Sequence, residues 1–331
     1  MRTLYFLLPG TGKQFACGGL WAELKTFGLA KQLCAAEVVT YRVREPDTLF
    51  LDDVLQTNDL TQVIFVMSWG FDVPKLAARL KRHHAIYHAH SAGYGFNLES
   101  NVPIVTVSRN TLGYWGQRSP NSLIYYLPNQ ISNEFNNENL DRTVDVLVHT
   151  RKSSQYLLNQ LIPALNDKHC AVQIIDRYVD NLAALFNNTK VYLYDSAEYW
   201  AQQGVSEGFG LQPMEAIASG CYVFSSVNGG LSDYLDPGFN SYKIAGYSIE
   251  YDVARILQVL KRPEPLTVPE SFLAEYRSTN ILKRLSIILQ ELNEFFDHTE
   301  HYPATIAPLT RLRLAKLNAA RILTKLKKKL H

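Results

Sequence analysis

The chain has 331 residues, of which 47% are hydrophobic and 19% charged, with 33 Lys/Arg against 31 Asp/Glu. At roughly 100 to 200 residues per domain, this length predicts two domains, each with its own core. The composition excludes a disordered or fibrous chain. Eight of the basic residues fall within 301–331, which holds no acid, so residues 1–300 carry 25 basic against 31 acidic side chains, a net of −6. The basic character therefore sits in a tail.

Taken in chain order, Leu4-Tyr5-Phe6-Leu7-Leu8 is too short for a signal-peptide core, stops at Pro9-Gly10, and reads as a first strand. No uncharged apolar stretch approaches the roughly 20 residues that cross a bilayer. Cys17, Cys34, Cys170 and Cys221 stand far apart, without C-x-x-C or zinc-finger spacing, so neither a disulfide framework nor a structural metal is indicated. A reducing, cytoplasmic compartment is expected. The loop Pro9-Gly10-Thr11-Gly12-Lys13-Gln14 fails both as a P-loop, with Leu7 and Gln14 at required Gly and Ser/Thr positions, and as a dinucleotide fingerprint, with Phe15 where a small residue is needed. Gly18-Gly19 precede a helix opening at Leu20. They suit either a phosphate approaching a helix N-terminus or a tight turn.

Further strands are predicted at 38–43, 63–67, 85–90, 104–107 and 123–127, with helical patterns between most of them. Asp52-Asp53 falls in one such pattern and reads as solvated. On 85–90, period-two alternation puts Ile86, His88 and His90 on one face, with His90 nearest the strand end. His90 is then a candidate at the cleft or a hydrogen-bonded support for the loop Ser91-Ala92-Gly93-Tyr94-Gly95, and His88 is read as structural. The polar stretch 129–141 marks a domain boundary. Beyond it the alternation restarts, with strands at 144–148, 172–175, 191–194 and 222–225 and helices near 154–165, 180–187 and 211–219. A long helical pattern runs over 269–296. The alternation predicts an α/β protein of two Rossmann-like domains with parallel sheets, residues 1–135 and 136–265, followed by helices over 266–331 that support the second domain or cross back to the first.

The most informative block is Glu207-Gly208-Phe209-Gly210-Leu211-Gln212-Pro213-Met214-Glu215-Ala216-Ile217-Ala218-Ser219-Gly220. Two glycines around Phe209 leave the amides of Phe209 to Leu211 approachable where a helix begins, a setting for an anion or sugar hydroxyls, and Pro213 fits the first helical turn. Leu211 and Glu215, four apart, share a face, and Glu215 leans back toward the N-terminus. Glu207 can face the same ligand from the loop. Arg151-Lys152, after the strand 144–148, can neutralise a diphosphate or form an exposed helix-entry pair. No Asp-x-Asp for a metal-bridged diphosphate occurs.

This block resembles the Glu-x7-Glu signature of retaining glycosyltransferases with the GT-B fold, family four. The likeness extends to Leu193-Tyr194-Asp195-Ser196 before it and to Asn228-Gly229-Gly230 after it. It also takes in Cys17-Gly18-Gly19-Leu20, Val105-Thr106-Val107-Ser108 and Tyr126-Leu127-Pro128-Asn129, so that it spans about residues 4 to 245. It implies two facing domains with the active site in the cleft, the second binding a nucleotide sugar and the first a glycan or lipid-linked acceptor. Transfer would retain configuration without a metal or other cofactor. Glu215 would hold the ribose, Glu207 the donor sugar, and the turn Gly208 to Leu211 the sugar and diphosphate, with Gly18, Gly19, Arg151 and Lys152 near the phosphates and His90 near the reacting centre. A sugar-nucleotide epimerase and a non-catalytic carbohydrate-binding relative share the fold as alternatives. The family places its first Glu nearer the strand-ending Ser, whereas residues 197–206 intervene here.

In the tail, Ala315, Ala319, Ile322, Leu323, Leu326 and Leu330 recur at helical spacing opposite Arg313, Arg321, Lys325 and Lys328, with Leu314 and Leu317 breaking the pattern. Residues 309–331 are thus a candidate for the anionic inner face of a membrane, or a helix packed on its own protein or frayed in solvent. No nucleic-acid partner is expected.

Overall fold

The computed structural model describes residues 1–56 and 59–329. Its first half folds as a seven-stranded sheet of β1 (Thr3–Leu8), β2 (Ala36–Thr40), β3 (Leu49–Phe50), β4 (Val63–Met67), β5 (His84–Ala89), β6 (Ile104–Thr106) and β7 (Ile124–Tyr126). The strands lie in the order β3-β2-β1-β4-β5-β6-β7. All are parallel, with Phe6 of β1 between Val38 and Val66. Every residue of β4 is buried, as its unbroken apolar sequence requires of a strand covered on both faces.

The second half forms a five-stranded parallel sheet of β8 (Val144–His149), β9 (Val172–Ile175), β10 (Thr189–Tyr194), β11 (Tyr222–Ser225) and β12 (Tyr242–Lys243), in the order β12-β11-β10-β8-β9. The strand order reverses between β8 and β10. In open α/β sheets ligands bind beyond the carboxyl ends of the strands at such a point, and the segments leaving these two strands carry Arg151-Lys152 and residues 195–210.

Each sheet is covered on both faces. One face of the first packs on Trp115, Leu76 and Val73. The other is closed by a helix from the far end of the chain, Ser278–His301, whose Ile281, Leu285, Ile288, Leu289, Leu292 and Phe296 pack on Leu4, Phe6, Val66 and Ile86. The helical pattern over 269–296 is interrupted. A short helix, Glu270–Ala274, comes first, and Arg277 is extended at φ −81°, ψ 151° before the long helix starts. The break turns the chain from one domain to the other: Leu266, Val268 and Phe272 pack on the second core, whereas the helix after Arg277 packs on the first. Two clamps hold the crossing. The Arg277 guanidinium donates to the carbonyls of Ser132 and Phe135 at 2.8 Å each, and buried Arg2 at the start of β1 pairs with Asp297 at 2.8 Å and Glu300 at 3.0 Å.

The segment 129–141 is less polar in its packing than in its composition, since Ile131 and Phe135 are buried in the second core. The helix expected near 154–165 is wider at its start, with a π-helical turn at Leu157–Leu161 before the α-helix Ile162–Asp167. Pro163, which offers no N–H to the ladder, lies in the first turn of the latter. The two-residue strands β3 and β12 are too short for periodicity to reveal. Asp52 and Asp53, read as solvated, are exposed and paired with Arg79 and Arg44.

Because the first core is completed by residues near position 290, Leu292→Ala should lower overall stability by about 2–5 kcal/mol through lost burial and the cavity left behind. The urea unfolding midpoint checks this. An unchanged midpoint would mean that the helix merely rests on the sheet.

Candidate functional site

The turn leading into the helix Leu211–Ala218 follows from its glycines. Gly210 takes φ +79°, a left-handed conformation that side chains rarely adopt, and caps the helix with no side chain of its own. Gly208 passes so close to the first domain that a Cβ would stand 1.6 Å from the carbonyl oxygen of His90. The turn is therefore an interdomain contact as well as a helix N-terminus. Glu207, Gly208, Phe209 and Gly210 are all buried. Yet among the described residues no group accepts a hydrogen bond from the amides of Phe209, Gly210, Leu211 or Gln212. The first amides of a helix have no partner within it, so the turn leaves donors available at the interdomain contact.

Four residues into that helix, Glu215 is buried at 6% exposure. No described residue donates a hydrogen bond to its carboxylate. Burial pushes its pKa up to about 7, against the attraction of Lys25 from the first domain and with some repulsion from Glu134. A buried carboxylate with its pKa raised toward neutrality and no donor among the described residues is a ready acceptor for hydroxyl donors.

Glu207 is the opposite case. Tyr194, at the end of β10, donates to Oε2, as does the Trp200 indole at 2.7 Å, while Lys152 reaches Oε1 at 3.2 Å. The Lys152 ammonium also lies 4.5 Å from the centre of the Trp200 ring, within cation–π range. Lys152 itself has φ +67°, a conformation that costs a non-glycine residue roughly 1–2 kcal/mol. Residues 197–206, an insertion by comparison with the resembled pattern, form the helix Ala197–Gln203 and supply Trp200 to this carboxylate. Arg151 is exposed, and among the described residues its side chain makes no hydrogen bond or ion pair; the structure brings Lys152, and not Arg151, to Glu207.

From the first domain, His90 follows β5 and turns Nε2 to Glu23 Oε2 at 2.7 Å; the same oxygen meets His88 Nδ1 at 2.5 Å. Burial pushes the Glu23 carboxyl up, but the two imidazoles outweigh it and hold it well below the usual range. Burial lowers the pKa of His90, and the His88 charge lowers it further. These three side chains bring ligand-type atoms within 4.8 Å of one another and are the one set among the described residues with the spacing to hold a metal. The two imidazoles share Glu23 Oε2, while Glu23 Oε1 and His88 Nε2 are buried with no hydrogen-bond partner among the described residues. Gly18 and Gly19 are exposed at the start of the helix Gly18–Ala30, with nothing but the Cys17 sulfur near either Cβ position.

Three participants were not singled out from the sequence. Glu23 could have been noticed as an acid three residues after Leu20 on a buried helix face. Tyr194 and Trp200 gave no such signal, since aromatic residues near a strand end are ordinarily core. A groove of about 500 Å³ opens between the domains, lined by Gly93, Arg109, Asn110 and Tyr114 on one side and Gly204 and Ser206 on the other; Glu207 is not part of its lining.

Residues 157–270 match the family model described as Glycosyl transferases group 1. No curated protein matches the chain. Among solved structures, sucrose-phosphate synthase from Thermosynechococcus elongatus is similar at TM-score 0.64 and 12% identity, over 89% of this chain and 100% of that one. A glycosyltransferase from Rickettsia africae is similar at TM-score 0.64 and 11% identity, over 88% and 99% of the two chains. Anabaena HepE, solved with UDP and glucose, is similar at TM-score 0.60 and 14% identity, over 88% and 100%. The fold is of the GT-B type.

The charge on Glu215 carries a cost that can be measured without any ligand. Between the ordinary carboxylate range and about pH 7 the folded chain keeps a proton that the unfolded chain has lost, so this group's contribution to stability falls as pH rises through that window. Glu215→Gln should therefore stabilise the free protein at pH 8, by about 3 kcal/mol, with the gain vanishing toward pH 4. Thermal unfolding of both proteins at the two pH values measures it. A loss of stability at pH 8 would show that the carboxylate is already well paired.

Proposed function

We propose that the chain is a glycosyltransferase that moves a sugar from a nucleotide-sugar donor to a glycan or lipid-linked acceptor with retention of configuration. The observation that carries this reading is the buried Glu215 carboxylate, without a donor among the described residues, on a helix whose opening amides meet no acceptor among them. A diol at one end and a diphosphate or sugar at the other satisfy both, and a nucleotide sugar offers that combination. The match of residues 157–270 to glycosyl transferases group 1 supports it, and the ligands of the Anabaena neighbour make uridine the first base to test.

In this mechanism Glu215 accepts from the ribose hydroxyls, and the amides of Phe209, Gly210 and Leu211 meet the diphosphate and sugar. Glu207, fixed by Tyr194 and Trp200, orients the donor sugar, and Lys152 shares its charge between Glu207 and the phosphates. Arg151 and the Gly18-Gly19 helix start complete the phosphate side when the donor is bound. The anomeric carbon–oxygen bond to the leaving phosphate breaks, the acceptor oxygen bonds to that carbon on the same face, and its proton passes to the phosphate oxygen. His90 stands on the acceptor side. Closure of the domains on each other excludes water that would intercept the sugar. The diphosphate charge is carried by amides and cations, so no metal or other cofactor is required.

An epimerase would return a changed nucleotide sugar with no acceptor consumed, and a non-catalytic relative would bind and release it unchanged. Following radiolabel from donor into a new glycoconjugate separates the three. Glu215→Ala should weaken donor binding by roughly ten- to a hundredfold, the loss of charge-assisted hydrogen bonds, whereas Glu207→Ala should chiefly depress turnover. If both variants bind and transfer as the parent does, the site lies elsewhere. Transfer should also survive exhaustive chelation; inhibition reversed only by magnesium or manganese would refute the metal-free reading.

A further inference from the structure

The chain's last helix, Arg311–Lys329, stands apart from the body it is tied to. Its described side chains are exposed except for Arg313, which is partly covered. Leu312 is 68% exposed, Ile322 and Leu323 59% each, and Leu326 53%. At 100° per residue, Leu312, Ala315, Ala319, Ile322, Leu323 and Leu326 fall in an arc of about 100°. Arg311 and Lys325 flank it on one edge and Lys316 on the other, while Leu314 and Leu317 lie outside it. No carboxylate pairs with Arg311, Arg313, Lys316, Arg321, Lys325 or Lys328 among the described residues, although residues 1–300 carry a net of −6. Leu330 lies outside the described residues.

We infer that this helix lies on an anionic lipid surface and that it tethers the first domain, the acceptor side, to it. Two features select lipid over a soluble acidic partner or nucleic acid. The apolar arc leaves large aliphatic side chains in water, which burial in the acyl region of a bilayer relieves, and the basic residues beside it are placed to reach phosphate headgroups as the arc sinks. No helix of the described residues is long and apolar enough to cross a membrane, so the contact is at the surface. The tether follows from the path of the chain. The helix Ser278–His301 packs on the first sheet, and residues 302–310, exposed and with Pro303 and Pro308, span at most ~30 Å before the basic helix begins. Bound lipid thus holds the acceptor domain near the membrane and leaves the donor domain free to open and close. This deepens the glycosyltransferase reading and rests on it for the acceptor, which becomes a lipid-linked one; the surface contact itself does not depend on that reading.

The test is sedimentation with vesicles. The full chain should pellet with phosphatidylcholine vesicles containing 30% phosphatidylglycerol, should remain in solution with phosphatidylcholine alone, and should be released by 0.5 M salt, where exposed charges are screened. Leu323→Asn with Leu326→Asn, keeping every charge, should weaken binding by about tenfold or more, and a chain ending at Pro308 should not bind. Both variants should keep their unfolding temperature and its rise on adding nucleotide sugar. Equal binding by the intact and shortened chains, undiminished binding by the asparagine variant, or vesicle binding matched by duplex DNA would overturn the lipid assignment. Vesicle binding without any response to nucleotide sugars would leave the surface contact standing and remove the donor reading instead.

Discussion

The backbone at Gly208 runs against the carbonyl of His90, and the backbone at Gly230 runs against the carbonyl of Gly208, where a Cβ would stand 2.0 Å away. Three strands of main chain from two domains thus meet with no side chain between them. Ser206 reinforces the contact, its amide donating to the Ala92 carbonyl at 2.9 Å. Much of the site depends on this crowding. It puts Glu207 at the domain boundary and Glu215 on the helix that follows, buried at 6% exposure. The same contact brings the carboxylate near Lys25, a residue of the other domain. Opening the domains would alter the environment of both acids at once.

The two carboxylates then differ for a physical reason. Glu207 is surrounded by donors, Tyr194, Trp200 and Lys152, and is fixed in position. Glu215 has no donor among the described residues and is held near neutrality by burial. One is held in place by the protein's own donors; the other, in the proposed reading, is completed by a ligand. Proteins retain such costly groups where function needs them, and the location of Glu215 on the helix that follows the glycine turn is consistent with that.

What the sequence made legible was what local pattern encodes. The apolar run 63–67 and the alternation of strands with helices led to parallel sheets, and the Glu-Gly-Phe-Gly spacing led to the turn and the helix behind it. What it hid was set by tertiary contact. That the helix Ser278–His301 returns to cover Leu4, Phe6 and Ile86 could not be read from its periodicity, which fixes a buried face but not the partner of that face. His90 was visible, but Glu23, which holds it, lies 67 residues earlier and looked like any acid on a helix. Arg151 and Lys152 are adjacent in sequence, and the structure separates them through the left-handed backbone at Lys152 and its contacts with Glu207 and Trp200.

The central claim is that Glu215 awaits the hydroxyls of a nucleotide sugar, and its elevated pKa makes this directly measurable. A diphosphosugar has no ionisation of its own near neutrality, so its affinity reports on the protein. Calorimetric titration of UDP-glucose from pH 5.5 to 8.5 should show affinity rising by about tenfold per unit below pH 7 and levelling above it, because the ligand takes the ionised carboxylate. In Glu215→Gln the affinity should be lower and the slope absent. A profile that is flat in the parent chain, or a slope that persists in the glutamine variant, would contradict the assignment.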